Sequence, residues 1–174
     1  MANHAYVYFK KLPELDEVVA LFNRVSEELK LNFVVETEVE NDNTTFINFR
    51  HKDEKIVHIC YWLHKLDDVY GKNERVTSRK PCLEVRHGHG GYLILWWIEM
   101  QIEWEIQKSF KVHKWLDGGI GYYQPTEVKT FADYIRASHK HARPEVQAYL
   151  FETEMEMQRQ ILPEDMHHLL KEQS

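Results

Sequence analysis

The chain has 174 residues, 43% hydrophobic, 13% aromatic and 29% charged, with a formal net charge of −6. That length suits one domain, 1–174, able to bury roughly two-thirds of its unfolded surface, and the acidic balance makes nucleic acid an unlikely partner, since binding it leans on Lys and Arg. Cys60 and Cys82 make no disulfide scaffold, no run reaches the roughly 18 apolar residues of a membrane helix, and residues 1–8 lack the apolar core of a signal peptide, so a soluble cytoplasmic protein without a membrane segment is expected.

Residues 5–9 (AYVYF) form a short strand of aromatic and β-branched residues. A helix over 13–30 follows, opened by Pro13, with Leu15, Val18, Val19, Phe22, Val25 and Leu29 on one face. Glu14, Asp16 and Glu17 stand in its first turns, where carboxylates suit the helix dipole. Phe33, Val35, Thr37 and Val39 then alternate with polar residues, and the turn at 40–43 leads into a return strand over 44–50. After a second polar turn at 51–54, a strand over 55–63 turns Val57, Ile59, Tyr61 and Leu63 to the core. Residues 64–81 hold no period and form the locally basic segment, with Lys65, Lys72, Arg75, Arg79 and Lys80.

Strand resumes at Leu83 and runs to Arg86, followed by a histidine–glycine turn at 87–91. Behind it, every even position from Ile94 to Ile106 is apolar, and the odd positions from Glu99 are polar. This alternation predicts a long central strand, its even side inward, bent near Trp96 and Trp97. A final strand covers 110–115, and Gly118, Gly119 and Gly121 make a turn. Thr126 is expected to cap a helix carrying Val128, Phe131, Tyr134 and Ile135. Pro144 starts another, with Val146, Tyr149, Leu150, Met157 and Ile161 on one face and Glu145, Glu152, Glu154 and Glu156 on the other side. Pro163 begins a last short helix through Leu170.

Strands followed by helices indicate an α+β fold. The expected architecture is a curved antiparallel sheet of about six strands with one N-terminal helix and two to three C-terminal helices, packed mainly on one face. Residues 1–115 are the strand-rich part and 126–172 the C-terminal helices.

Three constellations could carry chemistry. His87 and His89, two residues apart, could join His58 and Cys60 of a neighbouring strand in a nitrogen–sulfur donor set suited to zinc. Glu99 or Glu103 would then serve as base for a metal-bound water. Arg79, Lys80, Arg86, His87, His89 and Gly90 surround a glycine turn whose backbone amides could approach a phosphate. The odd side of the long run offers Trp97, Glu99, Glu103 and Glu105 as an acidic partner surface with an aromatic anchor. Each has an ordinary structural explanation as well: sheet histidines, tight turns and a solvated polar face. The chain lacks the Gly-x-Ser-x-Gly elbow, and neither cysteine sits in a catalytic signature.

The expectation is therefore a small intracellular binding protein without a resident cofactor and with no catalytic role. It would act as an inhibitor, immunity-type or phage-encoded modulator, docking on a protein or sequestering a small anionic ligand. The alternatives are a metal-dependent enzyme centred on His87 and His89, and a binder of nucleotides or other phosphorylated ligands.

Overall fold

A computed structural model describes residues 3–56, 59–65, 80–87, 92–117 and 127–171, with backbone alone for 3, 4, 86, 87, 116 and 117. The elements run β1 (Asn3–Phe9), α1 (Leu15–Glu28), β2 (Phe33–Asn41), β3 (Thr44–His51), β4 (Ile59–His64), β5 (Cys82–His87), α2 (Leu93–Ser109), β6 (Val112–Asp117), α3 (Phe131–Ser138) and α4 (Pro144–Ile161), ending in a 3₁₀ segment (Glu164–Leu170). The six strands form one open sheet in the order β2-β3-β4-β5-β1-β6, every pair antiparallel. The fold is α+β, as expected.

The uniform apolar run AYVYF explains the place of β1. All five residues are buried, so the strand needs cover on both faces and sits inside the sheet between β5 and β6. One of the two edge strands, β2, carries Glu36, Glu38 and Glu40, charges that discourage edge-to-edge pairing. Ile59, Tyr61 and Leu63 of β4 face the core, as their parity implied. Against them lies α1, where Phe22 packs on Tyr61 at 4.6 Å and on Phe49 at 5.9 Å between ring centroids. The start of α1 is fixed by Glu14, whose N–H donates to the Glu17 carboxylate at 3.2 Å.

The long alternating run is a helix, not a strand. At about 100° per residue, positions four apart drift by only about 40°, so Ile94, Ile98, Ile102 and Ile106 form one stripe, and all four are fully buried. Trp96, Met100 and Trp104 make a second, half-buried stripe on the opposite side. Two apolar stripes interleaved in sequence give an apparent period of two. The Glu, Gln and Met content supports the helix, and α4 completes its start: Gln158 Oε1 accepts the Ile94 N–H at 3.3 Å.

Helix α3 also begins later than expected. Thr130, rather than Thr126, caps it by accepting the Asp133 N–H at 3.1 Å, while Thr126 lies outside the described residues. Val128 precedes the helix, and its carbonyl accepts the Trp97 indole N–H and the Gln101 amide, both at 2.9 Å. Pro144 and Pro163 stand at the first position of α4 and at the cap of the 3₁₀ segment.

That segment is tied to β3 by fully buried His51. Its Nδ1 accepts the Asp53 N–H at 3.3 Å, leaving Nε2–H to donate to Asp165 Oδ2 at 2.9 Å. Partial burial pushes the Asp165 carboxyl up, but hydrogen bonds from His51 and Asn32 outweigh it and hold the group below its ordinary value. A lowered carboxylate stabilises the fold fully above its unfolded pKa and loses that contribution as pH falls through the folded value. Acidification below roughly pH 4 should therefore loosen residues 164–170. Amide-exchange protection there should fall in acid, and Asp165→Asn should show the loss already at neutral pH. Equal protection in both proteins at both pH values would contradict the link.

Candidate functional site

The proposed metal ligands are not gathered by the described part of the chain. Cys60 Sγ donates to Asn48 Oδ1 at 3.2 Å. In the β4–β5 register Cys60 stands opposite Arg86, one step from His87, which pairs with Asn3 on β1. His58 and His89 lie outside the described residues, as does the side chain of His87. Among the described residues no three His, Cys, Asp or Glu side chains are grouped to hold an ion.

Of the proposed anion site, Arg79, His89 and Gly90 also lie outside the described residues, and Arg86 is described by its backbone. Lys80 can be placed, in a basic corner built from three strand ends. There the Lys10 N–H bonds the Lys111 carbonyl at 2.8 Å, and the Phe9 N–H bonds that of Pro81 at 2.9 Å. The Lys114 ammonium stands 4.9 Å over the Tyr8 ring. His113 shares this corner: desolvation, then the ammonium groups of Lys80, Lys114 and Lys10, lower its pKa.

The acidic partner surface needs correction. Trp97, Glu99 and Glu103 are 2%, 2% and 1% exposed. Glu105 is held at the helix surface by Arg24, at 3.3 Å, and by Lys108. The reason is the helix itself: Glu99 and Glu103 are four residues apart on α2, at the edge of the isoleucine stripe, and turn inward with it. Buried carboxylates are rare, and these two act on Tyr61. Burial first, then the charges of Glu99 and Glu103, push its hydroxyl pKa well up. Burial, then Glu99, also raises the Tyr134 hydroxyl on α3.

On the opposite face of the sheet a hydrogen-bonded chain crosses three strands. Thr44 Oγ1 lies 3.1 Å from His64 Nδ1, and His64 Nε2 lies 2.9 Å from Glu84 Oε2. The three residues are 8%, 3% and 1% exposed, and fully buried Cys82 sits across from His64 in the ladder. Hydroxyl, imidazole and carboxylate in this order could relay a proton, yet burial on this scale marks the chain first as a strut joining β3, β4 and β5. Parity alone places His64 on this side of β4, opposite Ile59, Tyr61 and Leu63, but nothing in the spacing of the chain singled out Glu84. Its signal was a lone carboxylate within CLEVRH, one strand away from a histidine that needed an acceptor.

The least buried helix is α4. Only Met155 and Gln158 of its 18 residues are buried. Its apolar face is not the one that packs: Val146, Tyr149, Met157 and Ile161 are 44%, 69%, 39% and 38% exposed. Glu145, Glu152 and Glu156 flank that stripe on one side, all exposed. Hydrogen bonds from Gln160, at 3.1 Å, and Arg159, at 2.8 Å, lower the Glu156 pKa and keep it ionised.

No protein-family model matches the chain, and no curated protein matches it. Among the described residues no helix is long and apolar enough to cross a membrane.

Proposed function

We propose that this is a binding protein that docks a protein partner through the outer face of α4. One observation carries the reading: among the described residues, four of the five exposed large hydrophobics lie on this helix. They fall on one face, because 146, 149, 157 and 161 are separated by whole or near-whole turns. Apolar groups gathered on one exposed face mark interaction sites, whereas scattered ones do not. The glutamate rim selects a partner whose own apolar groove is edged by Lys or Arg. A second copy fits poorly, since antiparallel pairing about the helix centre would bring Glu152 against its own counterpart. The Cys60 sulfur donates to Asn48 as a reduced thiol, which suits a reducing compartment, in keeping with an intracellular modulator.

The test is a paired variant. Tyr149→Ala with Met157→Ala should leave the unfolding transition nearly unchanged, because both side chains are exposed. The same variant should weaken partner capture from the native host by about 2 kcal/mol or more, the scale of an interface hot spot. Val39→Ala, which removes the exposed valine on β2, should leave capture intact. Capture that survives the paired change, or falls equally with Val39→Ala, rejects the α4 surface.

A further inference from the structure

We infer that a cleft lined by none of the described residues of α4 is a binding site for a small phosphate ester carrying a flat apolar group, of mononucleotide size. The cleft opens between the end of α1, the start of α3 and the 3₁₀ segment and holds about 280 Å³, at the lower end of the roughly 300–1,000 Å³ of small-molecule sites. It takes a compact ligand, not a polymer. The inference goes beyond the docking reading and does not depend on it.

Charge is the first argument. Lys30, Lys129 and Lys171 line the cleft from three separate segments, and none of them is ion-paired among the described residues. Lys30 is delivered by a left-handed backbone (φ 52°) immediately beyond α1, a conformation that non-glycine residues adopt at a cost. The one carboxylate among the described lining residues, Glu28, already faces Arg24 at 4.0 Å. In a chain of net charge −6 this is a local reversal of sign.

The second argument is that acceptors which would repel an anion are already engaged. His168 Nε2 meets the Leu29 carbonyl at 2.8 Å, and Nδ1 meets that of Asp165 at 2.8 Å. The Val128 carbonyl is taken by Trp97 and Gln101. The Ser26 carbonyl, at the end of α1, accepts the Leu31 N–H at 2.7 Å. What the cleft offers is therefore ammonium groups and apolar surface. The apolar part comes from half-buried Leu29 and Leu169, with the buried rings of Trp97 and Phe131, 6.2 Å apart, forming the floor behind them. A phosphate held by the lysines would place an attached planar ring against the two leucines.

Titration calorimetry on the whole chain, with AMP as probe, decides it. AMP should bind saturably, and adenosine and inorganic phosphate should each bind at least about tenfold more weakly, since each supplies half the contacts. Lys129→Glu with Lys171→Glu, both exposed positions, should weaken AMP by at least about tenfold with the unfolding transition preserved. Lys10→Glu with Lys114→Glu, at the basic corner, should leave AMP binding unchanged, as should Tyr149→Ala with Met157→Ala on α4. No binding by the native chain overturns the inference. So does AMP affinity untouched by the Lys129 and Lys171 changes, or phosphate binding as tightly as AMP. Loss of AMP binding in the Lys10 and Lys114 variant would move the anion to the corner and also overturn it.

Discussion

Glu84→Ala should cost about 3–5 kcal/mol of stability, the range for removing one partner of a buried ion pair or charged hydrogen bond. Glu84 is 1% exposed and His64 3%, so water cannot replace the lost acceptor at His64 Nε2. For a chain of this length each kcal/mol lowers the melting temperature by roughly 2–4 °C, giving a fall of about 6–20 °C. Glu84→Gln keeps the size and one acceptor and should lose distinctly less. Thr44→Val removes only the contact at Nδ1 and should cost about 1 kcal/mol. Urea unfolding of the four proteins, compared through midpoints at constant slope, measures this order. If Glu84→Ala stayed within 1 kcal/mol of the native chain, the strut would not be one.

This strut shows why the strands were legible in the sequence while the polar chemistry between them was not. Alternation reports which face a residue takes, and Ile59, Tyr61 and Leu63 lie on the face it assigned. It does not report register, and the Thr44–His64–Glu84 chain exists because β3, β4 and β5 align at those rungs. The place of β1 had a readable cue, since AYVYF is apolar on both sides and calls for cover on both. The apolar face of α4 was also visible in its spacing. Its direction was not, because which side of a helix packs depends on neighbours, here the fully buried Gln158 against the start of α2. Trp97, Glu99 and Glu103 moved from surface to interior for one reason: the period of their segment was read as two rather than 3.6.

That change of period has a direct mutational signature. In a strand facing the core with its even side, Ile98, Met100, Ile102 and Trp104 would be equivalent, and truncating any of them would cost about the same. In the helix, Ile98→Ala and Ile102→Ala empty fully buried space on the stripe toward α1 and the sheet, and each should cost about 2–5 kcal/mol. Met100→Ala and Trp104→Ala fall on the half-buried stripe. The space they leave is partly open to solvent, so each should cost less than either isoleucine change. Gln101→Pro separates the readings further. In a helix it deletes an i→i−4 hydrogen bond and clashes with the carbonyl of Trp97, costing about 3 kcal/mol or more with a loss of helical ellipticity. In a strand it would leave the helical signal intact. Equal losses at Met100 and Ile102 would return the segment to the sheet, and with it Glu103 to the surface.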